Sequence, residues 1–132
     1  MTIEPIHPSD LHTPQTYSHV VAATGNRLVF VAGQVAEDAH GELVGAGDLA
    51  AQSRQAFANL GRALAAAEAR PEQVVKITIF VARYRPDDLP AIEEGRSALF
   101  GDHLPTDTLV GVAALSDPRY LIEVDAIAVV DR

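Results

Sequence analysis

The clearest signal along the chain is a change of hydrophobic period at Asp48. Beyond it, Leu49, Ala56, Phe57, Leu60, Leu64 and Ala67 fall three, four or seven residues apart, which gathers them on one face of a helix. Asp48 offers a side-chain acceptor to the first turn, the many alanines favour helix, and Pro71 forbids its continuation. The next stretch, VVKITIFVA, alternates as a strand does. Val75, Ile77, Ile79 and Val81 share a fully apolar face, and Val74, Lys76, Thr78, Phe80 and Ala82 share a mixed one. A second helix is predicted from Asp87 or Asp88, with Pro90 in its first turn, Ile92, Leu99 and Phe100 inward, and Gly101 as its stop.

The N-terminal part reads differently. Pro5, Pro8 and Pro14 lack the amide donor that regular structure uses, so residues 1–16 are expected to form an irregular arm. YSHVVAA and RLVFVAGQV then flank T-G-N, where Gly25-Asn26 suits a tight hairpin turn. Gly41, Gly45 and Gly47 interrupt the pattern around ELV, a short third strand or an extended loop. Two last strands, Thr106 to Leu115 and Tyr120 to Val130, are joined by S-D-P-R. The order β-β-(β)-α-β-α-β-β predicts an α+β fold in which two helices cover one face of a mixed sheet. The other face, half apolar, needs a partner, and self-association with small-molecule clefts between subunits would supply one.

Composition narrows the partners. A chain of 132 residues is expected to form a single domain, residues 1–132, with no internal repeat. The formal charge of −8 weighs against nucleic acid and against an anionic membrane surface, and no apolar run approaches a bilayer span. The start, MTIEPIHPSDLH, has no basic, apolar leader character, and there is no cysteine, so a cytoplasmic location is expected.

The last strand carries the most informative polar residues. In LIEVDAIAVV, Glu123 and Asp125 are two apart and so share a face, roughly 6.5 to 7 Å from each other. Ile122, Val124, Ala126 and Ala128 point the other way. Acids on the subunit-facing side must be paired, hydrogen-bonded or raised in pKa. Glu123 can therefore orient water or relay a proton, or it can form a salt bridge to a residue such as Lys76; for Asp125 the structural role is favoured. The five histidines lack paired ligand spacing, so no metal site is expected, and no phosphate-cradling or nucleophile-elbow motif occurs.

Tyr17, V-A-G-Q at 31–34, A-A-Q-S-R-Q with Asn59 downstream, V-V-K-I-T-I-F-V at 74–81, Phe100, Pro105 and I-E-V-D-A-I-A at 122–128 recur in order. Together they make the chain from Tyr17 to Arg132 resemble the RidA/YjgF reactive-intermediate deaminase family. The resemblance implies a chorismate-mutase-like fold with a mixed six-stranded sheet, two helices on one face and a homotrimeric barrel. It also implies inter-subunit clefts that hydrolyse imines or enamines to ketones and ammonia without a cofactor. By that resemblance Glu123 positions the attacking water, Tyr17 closes the pocket, and backbone near Ala32, Gly33 and after Pro105, at Thr108 and Leu109, contributes hydrogen bonds.

Within L-P-T-D-T-L the pattern breaks. Asp107 stands where deaminating members carry the arginine that grips a substrate carboxylate. Ala32, Glu93 and Leu109 replace a common serine, asparagine and cysteine. Asp107 then either selects a neutral or cationic amine-like ligand or serves as a second carboxylate beside Glu123, unless its loop turns outward. Arg96 or Arg119 is available as a replacement cation. Three functions are consistent with these residues: hydrolysis of a small imine or enamine lacking the usual carboxylate, a non-catalytic trimer that binds a metabolite or protein partner, and ribonuclease activity. The negative charge disfavours the last.

Overall fold

The computed structural model describes all 132 residues, with six strands and two α-helices. They run β1 Thr2–Ile6, β2 Val20–Thr24, β3 Arg27–Gln34, α1 Leu49–Ala66, β4 Val74–Ala82, α2 Leu89–Phe100, β5 Thr106–Val112 and β6 Ile122–Val130. No helix is long and apolar enough to cross a membrane.

Strands β3-β6-β4-β5 form a sheet in that order, antiparallel except for the parallel β4–β5 pair. Both β3 to β4 and β4 to β5 are crossovers between parallel strands, made by α1 and α2 respectively. Each steps across the sheet in the same direction, and crossovers share one hand, so both helices land on one face. The expected six-stranded sheet is thus corrected to four strands plus a separate β1–β2 ribbon. The irregular arm expected over residues 1–16 is corrected too, because Thr2–Ile6 is a strand. Pro5 fits there because β1 pairs on one side only.

Gly25 and Asn26 make a corner rather than a hairpin, since β2 pairs with β1 and not with β3. Neither residue has positive φ. Glycine serves close approach instead: a Cβ on Gly25 would lie 2.5 Å from Val129 Cγ1 and 2.9 Å from the Val130 carbonyl oxygen. The ribbon spans one end of the sheet. The Ser18 amide donates to the Pro105 carbonyl at 3.1 Å, just before β5, and the Met1 amino group meets Asp131 at 3.0 Å, just after β6. ELV is not a strand; Leu43 makes one isolated bridge to Glu37.

Asp48 caps α1 as expected, accepting from the Ala51 amide at 3.1 Å. Phe57, Leu60, Leu64, Ile77, Ile79, Ile92, Ile122 and Val124 fill the layer between helices and sheet. A bulge between Val74 and Lys76 alters the expected alternation, so that Val74 is fully buried and Val75 only partly so. Polar residues complete the seam: Ser53 Oγ donates to the Ile92 carbonyl at 2.8 Å, and Gly95 lies so close to Ser53 that a Cβ would overlap its backbone. On the helix-free face, Leu28 and Phe30 are 58% and 70% exposed.

Candidate functional site

Parallel register places Asp107 opposite Ile77 and Leu109 opposite Ile79, so both side chains join the helix-covered side of the sheet. There α2 presents Ile92 and Glu93. The arm arrives from the other direction, because Ser18 Oγ donates to the Leu104 carbonyl at 2.6 Å and fixes Thr16 and Tyr17 beside β5. The result is a cleft of about 370 Å³ with apolar walls of Ile79, Leu89, Ile92 and Leu109 and polar contributions from Thr16, Tyr17, Glu93, Asp107 and Thr108. A second hydrogen bond, 3.4 Å long, links the Tyr17 hydroxyl to His12 Nε2 at its mouth.

Electrostatics single out Asp107. Burial first, and the nearby Glu93 charge second, push its carboxyl from 3.8 up to about 6, against the opposing pull of Arg96 and Lys76. Its Oδ1 is buried with no hydrogen-bond partner, and so is Arg96 Nη1. Arg96 is 5% exposed and spends its Nε on Glu93 Oε2 at 2.6 Å, one helical turn back. Of the two candidate cations, then, Arg96 lies at the site. Arg119 does not: it pairs with Asp117 at 2.8 Å on the exposed turn before β6.

Glu123 lies elsewhere. Its register partner is Phe80, that of Asp125 is Thr78, and both acids occupy the helix-free face while Ile122 and Val124 enter the core. The alternative ion pair with Lys76 does not form within the chain; Glu123 makes no hydrogen bond or ion pair there, whereas Asp125 accepts from the Thr78 amide at 3.1 Å. Gly33 explains how Glu123 fits, since a Cβ there would overlap its carboxylate. Ala32 and Gly33 are exposed at the irregular end of β3.

The residues singled out from sequence therefore divide. Tyr17, Glu93, Asp107, Thr108 and Leu109 line one cleft, whereas Ala32, Gly33 and Glu123 sit across the sheet from it. Within one chain Asp107 is not beside Glu123, so the two acids share a site only across a subunit boundary. Sequence reasoning missed Thr16, Ile79, Leu89 and Ile92 as lining, and left Arg96 only as an option. Its spacing held the signal: Ile92, Arg96 and Phe100 recur every four residues on the inward stripe of α2. A larger polar groove of about 630 Å³ between α1 and the loop after β3 includes none of the candidate site residues, although Gln34, Gln55 and Asn59 of the quoted motifs line it. No group of three or more His, Asp or Glu side chains is arranged to hold a metal ion.

Comparison with known proteins agrees with this architecture. The family model described as Endoribonuclease L-PSP matches residues 8–130. A 2-iminobutanoate/2-iminopropanoate deaminase from Rattus norvegicus is 36% identical over 114 residues, covering 86% of this chain and 79% of its own. Its namesake from Dermatophagoides farinae is 30% identical over 115 residues, 87% of this chain and 86% of its own. Among solved structures, the Rid-family protein YyfB from Yersinia pestis, described as of unknown function, superposes with a TM-score of 0.92 at 38% identity, over 98% of this chain and 99% of its own. The YjgF gene product of E. coli gives a TM-score of 0.68 at 30% identity, over 86% and 87%. A model match over nearly the whole chain, joined to relatives at these identities, means that the chain belongs to the RidA/YjgF family.

Proposed function

We propose that the protein is a homotrimer that hydrolyses an imine or enamine lacking a carboxylate, in clefts where the Asp107 wall of one subunit faces Gly33 and Glu123 of the next. The observation that carries this reading is the buried carboxyl of Asp107, its Oδ1 without a hydrogen-bond partner, in a cleft walled by Ile79, Leu89, Ile92 and Leu109. Assembly follows from the helix-free face, whose exposed Leu28 and Phe30 favour contact with another copy.

The chemistry needs little more than placement. Glu123 accepts a proton from water as its oxygen bonds to the imine carbon; Asp107, pushed up to about 6 and so still protonated in part of the molecules just below neutral pH, gives a proton to the nitrogen. Protonated Glu123 then returns its proton to the amine nitrogen, the C–N bond breaks and ammonia leaves, and ionised Asp107 takes the hydroxyl proton, which yields the carbonyl product and restores both acids. A substrate carboxylate about 4 Å from ionised Asp107 would be repelled by about 4 kcal/mol. Hydrolysis of a carboxylate-free imine and of 2-iminopropionate, both generated in situ, is compared by ammonia release. Faster turnover of the first is expected; faster turnover of 2-iminopropionate overturns the specificity.

The separation of Asp107 from Glu123 within one chain favours one alternative, a trimer that binds a small metabolite or a protein partner without turnover. Calorimetric binding with no acceleration of any imine, by wild type or Glu123→Gln, would establish it. RNA is a poor ligand for an acidic cleft on a chain of net charge −8.

A further inference from the structure

We infer that Glu93 is a positioning residue: by holding the Arg96 guanidinium through Nε it keeps that cation off Asp107, and so makes the cleft a subsite for a small organic cation with an apolar body. The inference deepens the proposed imine chemistry and rests on the same cleft.

The geometry argues for this division of labour. A guanidinium buried to this degree requires an acceptor, and two carboxylates stand within its neighbourhood. It takes Glu93, one turn back on the same helix, where the i,i+3 spacing fixes the contact without help from β5. Its Nη1 is left without a partner and Asp107 Oδ1 likewise, and the two groups do not come within ion-pair distance. The charged and titratable groups around Asp107 are Glu93 and Arg96 from α2, Lys76 from β4 and the Tyr17 phenol from the arm. Lys76 is exposed on the opposite face, so Arg96 is the only nearby buried cation, and Glu93 already neutralises it. Ionised Asp107 thus leaves a net negative charge in a cleft walled by Ile79, Leu89, Ile92 and Leu109. A primary ammonium or iminium on a short aliphatic body answers both features. A carboxylate meets two acids instead.

Two substitutions should act with opposite sign. Carboxyl-13C NMR of the full-length protein, with the Asp107 resonance assigned by Asp107→Asn, gives the titration midpoint directly. Glu93→Gln removes the repelling charge and should lower that midpoint by about 1 pH unit, whereas Arg96→Gln removes the attracting one and should raise it. Butylammonium and butyrate serve as binding probes. Wild type should bind butylammonium and not butyrate, and Glu93→Ala, which frees the guanidinium to close on Asp107, should weaken butylammonium binding by about tenfold or more. If Arg96→Gln does not fold, the two Glu93 variants still decide. An unmoved midpoint in Glu93→Gln, unchanged butylammonium affinity in Glu93→Ala, or wild-type preference for butyrate overturns the inference. Neither readout requires turnover, so failure to hydrolyse any imine rejects the proposed reaction and leaves this inference standing.

Discussion

Asp107→Asn should make the protein more stable above neutral pH and should leave it nearly unchanged in acid. The folded chain moves this carboxyl from 3.8 to about 6, which corresponds to about 3 kcal/mol in favour of the protonated form. Water entering the cleft and local relaxation reduce the cost of ionisation to about 1–2 kcal/mol. Below pH 3.8 both folded and unfolded chains carry the proton, so there is no penalty. Between that value and about 6 the folded state binds a proton that the unfolded state has released, and stability falls as pH rises. Above about 6 the penalty is complete, and asparagine, of nearly the same shape, avoids it. Thermal unfolding at fixed protein concentration should show the variant ahead by about 3–6 °C at pH 7.5, with the gap closing towards pH 4. A gap independent of pH, or one that widens in acid, refutes the reasoning. Loss of imine hydrolysis in the same variant would mark Asp107 as a site where stability yields to function.

Gly33→Ala forces the Glu123 carboxylate out of its seat, so turnover should fall by about two orders of magnitude while the melting temperature changes little; steady-state kinetics with a carboxylate-free imine checks it. Gly95→Ala drives a methyl group into the Ser53 backbone and should cost about 1–3 kcal/mol in a denaturant titration, through separation of α1 from α2. Phe30→Asp places a charge on the most exposed aromatic of the helix-free face and should yield a smaller particle by analytical ultracentrifugation; an unchanged mass would exclude that face from assembly.

Where hydrophobic period and packing agree, the sequence foretold the structure closely. The α1 stripe, the Asp48 cap, the Gly101 stop and the alternation of β6 are all set by local spacing, and each is found. The misses have one physical origin, tertiary contact overriding local pattern. Pro5 argued against a strand, yet a ribbon with a free edge accepts it. Gly25-Asn26 looked like a hairpin turn, but the glycine is required by Val129 and Val130, more than a hundred residues on. The bulge beside Val75 shifts Val74 into the core and cannot be read from alternation. At the site, Tyr17, Glu93 and Asp107, named through the resemblance, line one cleft of a single chain, and Gly33 and Glu123 do not. Register alone determines that Asp107 faces the helices and Glu123 faces away, and register depends on which strands pair.

That opposition across the sheet gives genetic behaviour as well as geometry. On the trimeric reading, Asp107→Asn and Glu123→Gln would each silence every cleft in a pure preparation. Refolded together from an equal mixture, they would rebuild about one quarter of the clefts with both acids intact, each donated by a different parent. Two dead proteins would complement one another, and a protein whose reacting groups all came from one polypeptide could not do so.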